Sequence, residues 1–252
     1  MPIAGPKPAA DAWATHLVTA PASVPPGTRV YAIGDVHGCL KRLVALHYAI
    51  AADLAANPIA RSVLIHLGDV VDRGPDTAGV LWLLSGPIAP KVRLRVDLCG
   101  NHEALMMAAL KPEATAADAS LWLDNGGTRA LASYGINPAM PPDAWRAAIP
   151  ALHQSYLSSL AQSHAEGGYF FVHAGIRPGR PISAQTRDDM LWIRDEFLYD
   201  RTRHPLVEVH GHSMVRAPEI LANRIGIDTG AVMDGVLSCL VLEGACLRFL
   251  TA

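Results

Sequence analysis

The chain has 252 residues, of which 50% are apolar and 17% charged, with a formal net charge of −2. That length supports a sizeable core and the composition excludes a disordered or solvating chain; with no basic excess, nucleic acid is not expected as a stable partner. The compositional feature that bears on chemistry is the 11 histidines, because imidazole is the commonest metal ligand and the usual acid or base near neutrality.

Residues 1–27 are rich in Pro and Ala and read as an irregular N-terminal arm; 28–252 read as a single domain. Arg29–Ile33 is a short β-type run ending in the loop Gly34–Gly38, and Cys39–Ala56 follows with helical spacing of Leu40, Leu43, Val44, Leu46 and Ile50. Ser62–Leu67 repeats the form, with the loop Gly68–Gly74 and a helix over Asp76–Ser85. Val92–Leu98, Cys99–Asn101 and a helix from His102 to Leu110 make a third unit. Three consecutive strand–loop–helix units predict an α/β fold, with a site at the carboxyl ends of the strands. Pro112–Glu166 shows no strand pattern and reads as a helical cap or insertion. Tyr169–Val172 and Val207–Val209 each run into a histidine-bearing loop, and Arg224–Asp228, Val236–Leu242 and Cys246–Leu250 read as sheet.

The cysteines Cys39, Cys99, Cys239 and Cys246 form no CxxC pair and lie among apolar residues, so a reducing, cytoplasmic compartment is expected. No run of about 18 apolar residues predicts a membrane span, and the N-terminus lacks the apolar stretch of a signal peptide.

Five segments place ligand-type residues in loops: Gly34-Asp35-Val36-His37-Gly38, Gly68-Asp69-Val70-Val71-Asp72-Arg73-Gly74, Gly100-Asn101-His102-Glu103, Val172-His173-Ala174-Gly175 and His210-Gly211-His212-Ser213. Asp35 and His37, two apart in an extended segment, point to one side and can meet one cation; an Asx turn with an incidental histidine is the plainer alternative. Asp69 closes a strand and can reach the same centre. Arg73 offers a planar fork of donors suited to phosphate oxygens. Asn101 adds a neutral oxygen, which leaves a site of two divalent ions and two carboxylates positive enough for an anionic substrate. His102 opens a helix and is free to handle protons, while Glu103 supports the helix start. Each segment alone has a structural explanation; their combination does not. Trp122, Trp145 and Trp192 read as core residues, with the lining of a cleft as the alternative, and His16, His47, His153, His164 and His204 as surface or packing residues.

The order GDxHG, GDxxDRG, GNHE, HAG, GH[ST] resembles the metallophosphoesterases, and the DRG resembles the phosphoprotein phosphatase branch, in particular its bacterial and phage lambda-type serine/threonine phosphatases. The resemblance spans about 30–250, with weaker matches at Asn125-Gly126-Gly127, Leu191-Trp192-Ile193-Arg194 and Asn223–Gly230. It implies a calcineurin-like fold, a central β-sandwich of mixed sheets flanked by helices. It implies one metal on Asp35, His37 and a bridging Asp69, and a second on Asp69, Asn101, His173 and His212. His102 would be the general acid, oriented by Asp72, and Arg73 and Arg194, with Asn101 and His102, would hold the phosphate. Hydroxide shared by the two ions would attack phosphorus in line. Met214 stands where nucleases and cyclic nucleotide phosphodiesterases of the superfamily carry a further histidine, which fits the protein phosphatase branch. His66 and His210 are candidates to support the ligands from behind. The mixed nitrogen and oxygen set suits Mn, Fe or Zn, with Mn2+ the expectation. The expected substrate is a phosphoprotein or phosphopeptide. Bis(5′-nucleosyl)-tetraphosphate hydrolysis, broad small-molecule phosphatase activity and a catalytically silent binding module are the competing readings. Oligomeric state is open.

Overall fold

A computed structural model of the chain describes residues 16–252. Its strands in chain order are β1 (Val18–Thr19), β2 (Thr28–Ile33), β3 (Arg61–His66), β4 (Leu94–Asp97), β5 (Ser163–Glu166) and β6 (Tyr169–Val172). β7 (Val207–His210), β8 (Glu219–Ile220), β9 (Arg224–Gly226), β10 (Ser238–Glu243) and β11 (Cys246–Thr251) follow. They form two mixed sheets, ordered β1-β11-β10-β2-β3-β4 and β5-β6-β7-β9-β8.

Strand alternation explains how the sheets stack. Val30 and Ala32 of β2 and Val63 and Ile65 of β3 pack with Tyr169 and Phe171 of β6 and Val209 of β7, filling the space between the sheets. Their sequence neighbours Tyr31, Ile33 and Leu64 point the other way, onto α1 (Leu40–Ala56), α2 (Thr77–Leu84) and α3 (Asn101–Leu110). Leu43, Leu46 and Ile50 supply the apolar stripe of α1. Phe170 and Val172 face outward from the second sheet, onto Ile193 and Phe197 of the segment with α8 (Arg187–Trp192) and α9 (Asp195–Leu198). The stretch expected to be helical contributes α4 (Ala116–Trp122), α5 (Thr128–Ser133), α6 (Pro142–Ala148) and α7 (Ala151–Ser158).

Register sets the position of the site. β2, β3 and β4 are parallel, with Ile33 beside His66 and His66 beside Asp97, so the loops that follow leave at one edge. β6, β7 and β9 are likewise parallel. The carboxyl ends of both sheets therefore deliver their loops to one rim of the sandwich.

Two local expectations change. The arm expected to be irregular contributes β1, which pairs Val18 with Leu247 at the sheet edge; residues 1–15 lie outside the described residues. The 112–166 stretch ends in a strand, Ser163–Glu166, because pairing with β6 supplies backbone partners that its polar sequence does not advertise. The β6–β7 connection, for which no element was predicted, carries α8 and α9, since parallel neighbours require a crossover.

Behind the rim, His66 on β3 bonds Asp97 through Nδ1 at 2.7 Å and His47 of α1 through Nε2 at 3.0 Å. Burial pushes His47 down to about 3, reinforced by His66 and Arg95 and opposed by Asp97. Between about pH 6.5, the ordinary histidine value, and that lowered value, the unfolded chain binds a proton that the folded chain refuses. Stability on this account rises with pH across that window and is lost on acidification. Replacing His47→Gln, which keeps a donor toward His66, is expected to flatten the fall in melting temperature between about pH 6.5 and pH 4. An unchanged slope would place the acid sensitivity elsewhere.

Candidate metal centre

The rim loops adopt a backbone that their side chains disfavour. The non-glycine residues with positive φ among those described are His37 (45°), Asp69 (51°), Asp72 (67°), Arg73 (61°) and His212 (60°), and all lie in these loops. Such conformations cost on the order of 1–3 kcal/mol each and persist only where surrounding structure enforces them. Glu103 is a principal enforcer. Completely buried, its carboxylate accepts the backbone N–H groups of Asp69 (2.8 Å), Val70 (2.7 Å), Val71 (3.2 Å) and Gly100 (2.7 Å). It supports the start of α3 as expected, and it also ties the second loop to the third.

Asp69 stands at the middle of the cluster. Its Oδ2 lies 3.6 Å from His37 Nε2 and 3.9 Å from His102 Nε2, and its Oδ1 lies 3.4 Å from His173 Nε2. Asn101 Oδ1 is 2.9 Å from both His173 Nε2 and His212 Nδ1. Two compact groups result, His37–Asp69–His102 and Asp69–His173–His212, each with ligand atoms within 4.8 Å of one another. Asp35 sits behind them, accepting the His212 N–H at 3.1 and 3.2 Å. Gly211 allows that approach, since a Cβ there would run into the Asp35 carboxylate.

The donor chemistry fits divalent cations. His37 Nδ1 donates to the Val71 carbonyl and His173 Nδ1 to that of Leu67, both at 2.9 Å, which leaves each Nε2 with a lone pair near an Asp69 oxygen. The lone pairs of His173 Nε2 and Asn101 Oδ1 then face each other, an arrangement that a cation between them relieves. His212 Nε2 and His102 Nε2 are buried without a hydrogen-bond partner among the described residues. Burial holds His37 well below its ordinary value and His173 at about 4, so both imidazoles are neutral. Burial raises Asp35 well above the carboxylate range, with the charges of Asp228 and Asp69 adding to it. Burial likewise lifts Asp69 to about 6 and Glu103 to about 7. Neutral imidazoles and crowded carboxylates are what a bound cation requires and compensates.

Beside this cluster, His102 Nδ1 bonds Asp72 Oδ2 at 2.9 Å, and both residues are inaccessible to solvent. Arg73 donates to His37 Nε2 at 3.2 Å, and Arg194 reaches the His212 carbonyl and Ser213 Oγ at 3.4 Å. The two guanidinium groups thus sit next to different histidines of the cluster.

The family profile described as calcineurin-like phosphoesterase matches residues 28–231. The chain belongs to the calcineurin-like phosphoesterases. Serine/threonine-protein phosphatase 2 of Salmonella typhimurium is 28% identical over 227 residues, covering 83% of this chain and 90% of that protein. Serine/threonine-protein phosphatase 1 of the same organism is 30% identical over 221 residues, covering 83% and 89%. An asymmetrical bis(5′-nucleosyl)-tetraphosphatase of Geobacillus thermodenitrificans is 26% identical over 227 residues, covering 82% and 88%. The crystal structure of a cold-active protein-tyrosine phosphatase from a psychrophilic Shewanella shares the fold, with a TM-score of 0.58 at 16% identity over 91% of this chain and 83% of that one. This calcineurin-like phosphoesterase is accordingly a metal-dependent phosphatase acting on phosphorylated substrates. No helix among the described residues is long and apolar enough to cross a membrane.

The structure gathers Asp35, His37, Asp69, Asp72, Arg73, Asn101, His102, His173, Arg194 and His212 at one rim. His66 is not brought there; its partners are His47 and Asp97. His210 lies beside Phe197 with Nδ1 on the Gly211 carbonyl, next in chain to the cluster but without a side-chain bond to it. Trp192 is not a core residue: it is 42% exposed, its ring edge-on to His212. His47 and His153, read as surface or packing residues, are buried packing residues. Sequence reasoning missed Asp228, a buried carboxylate whose charge acts on Asp35, although the Asn223–Gly230 match held it. Trp122, expected to pack in the core or line a cleft, is buried and bonds the Asp72 carboxylate.

Because Asp69 is shared by the two expected ligand sets, Asp35–His37–Asp69 and Asp69–Asn101–His173–His212, Asp69→Asn is expected to abolish uptake of both ions, whereas His173→Ala should weaken one. Calorimetric titration with Mn2+ checks this. Two sites at full occupancy in Asp69→Asn would remove Asp69 from the shared position.

Proposed function

We propose that the chain is a dinuclear metal-dependent serine/threonine protein phosphatase, working on Mn2+ in preference to Fe or Zn and cleaving phosphomonoesters by direct in-line attack. The observation that carries this reading is the His102–Asp72 pair set directly against the Asp69 cluster, with Arg73 and Arg194 beside it. Resemblance to the two Salmonella phosphatases supports the protein substrate.

Divalent ions on Asp35, His37 and Asp69 and on Asp69, Asn101, His173 and His212 would supply, when bound, an acidified water as nucleophile and positive charge against the phosphate. The chain's own groups do the rest. Arg73 and Arg194 grip the phosphate oxygens and offset charge as it develops on them. Asn101 supports the same oxygens through its amide N–H. His102 presents Nε2 to the departing alkoxide and gives it a proton, a role typically worth about 10²–10⁴-fold. Asp72 fixes the ring through Nδ1 and stabilises the imidazolium form, as the carboxylate does in other acid–base dyads.

A second reading keeps this chemistry and changes the substrate to a bis(5′-nucleosyl) tetraphosphate, on the strength of the tetraphosphatase relative. A panel with added Mn2+ decides between them: phosphoserine, phosphothreonine and phosphotyrosine peptides, diadenosine tetraphosphate and a phosphodiester. Phosphoserine and phosphothreonine peptides are expected to be turned over fastest; faster turnover of diadenosine tetraphosphate would establish the second reading. Loss of transition-metal binding together with all turnover would favour a silent binding module. His102→Asn is expected to keep metal, to lose about 10²-fold or more on alkyl esters, and to lose much less on p-nitrophenyl phosphate, whose leaving group hardly needs a proton. Equal losses on the two ester types would count against the acid role.

A further inference from the structure

The Asn125-Gly126-Gly127 motif and the helical insertion around it have so far no part in the chemistry. The structure gives them one. Trp122, the last residue of α4 and completely buried, directs its indole Nε1 at the Asp72 carboxylate, 2.9 Å from Oδ1 and 3.1 Å from Oδ2. Oδ2 is the atom that holds His102 Nδ1, and Oδ1 receives no other hydrogen bond among the described residues. The Asp72 N–H is tied to Thr77 Oγ1 at 3.0 Å, so the backbone is anchored independently of the carboxylate.

Ordinary packing does not account for this. Trp145 stacks edge-to-face on Trp122 at 5.8 Å between ring centres, equally buried, and its own Nε1 has no partner among the described residues. The core accepts an unpaired indole N–H in one ring while directing the neighbouring one at a carboxylate. The turn that follows grips the next residue of the same loop. The Gly126 carbonyl accepts the Arg73 N–H at 3.3 Å, and Gly126 has φ of 109° with Arg73 Cγ 2.8 Å from where a Cβ would sit. Two adjacent left-handed residues, Asp72 and Arg73, are thus each held by the segment 122–127.

We propose that Trp122 is a positioning residue for the reaction: its N–H fixes the plane of the Asp72 carboxylate, so that Oδ2 faces His102 and the imidazole presents Nε2 to the leaving group, while the Gly126 turn seats Arg73. The proposal rests on the reading of His102 as general acid. Without the indole N–H, the carboxylate keeps only its bond to His102 and can rotate, and the ring it holds loses its aim. Misplacement of this kind costs rate on the order of 10–10²-fold without removing a reacting group.

Trp122→Phe keeps an aromatic ring and deletes the donor; site-specific 3-benzothienylalanine keeps the full bicyclic shape with sulfur in place of the N–H, and serves alone if the phenylalanine variant does not fold. Both are compared with His102→Asn on a phosphothreonine peptide and on p-nitrophenyl phosphate, with Mn2+ uptake measured by calorimetry. Expected is a fall in kcat of about tenfold or more on the peptide, less than about threefold on the aryl ester, KM within about twofold, and unchanged Mn2+ uptake. Equal losses on both substrates, no loss on the peptide, or a loss confined to KM overturns the proposal. Leaving-group selectivity in His102→Asn without any in the Trp122 variants removes Trp122 alone. Absence of selectivity in His102→Asn removes the acid reading, and the proposal with it.

Discussion

One buried carboxylate holds the rim together. Glu103 accepts four backbone N–H groups, three of them from the loop that carries Asp69 and one from the loop that carries Asn101. A buried charge without partners is too costly to keep, and buried N–H groups without acceptors cost about 1–3 kcal/mol each, so each side needs the other. This exchange turns two loops into one rigid body, and Asp69 is fixed between the two groups of candidate ligands as a consequence. The left-handed backbone at Asp69 is held in this way, and that at His212 by its N–H on the Asp35 carboxylate.

The sandwich supplies the other constraint. Parallel strands in each sheet end in register, so loops from β2, β3 and β4 meet loops from β6, β7 and β9 at one edge. The helical insertion closes this edge from the side. Through Trp122 and Gly126 it touches the loop holding Asp72 and Arg73, which gives a segment distant in sequence a direct mechanical connection to the His102–Asp72 pair. The same rim exposes Trp192 beside His212, where a substrate would approach.

Much of this was legible in the chain. The β-type run Arg29–Ile33, buried on both faces, and the helical spacing in Cys39–Ala56, buried on one, are local patterns, and they predict the first units with small errors at their ends. The glycine-flanked loops announce their ligand residues, because close approach of backbone to an ion needs residues without side-chain bulk. β5 was not legible: Ser163–Glu166 carries little apolar signal, and its conformation comes from the neighbour it pairs with. Nor was the exposure of Trp192, since the side on which a short helix is covered depends on what packs there.

The sequence by itself determined the family, the α/β alternation and which side chains could bind metal or move a proton, because these follow from residue types at short spacing. Only the tertiary structure decided what those residues face. Glu103 looked like a helix-start residue and holds two loops; Trp122 looked like core and holds Asp72; His66 looked close to the metals and belongs to a buried chain with His47 and Asp97. Asp228 was present in a matched motif, yet its electrostatic effect on Asp35 comes from bringing the ends of two sheets together. Hydrogen-bond partners separated by about 30 to more than 100 residues arise from strand order and crossover, and no local pattern encodes those.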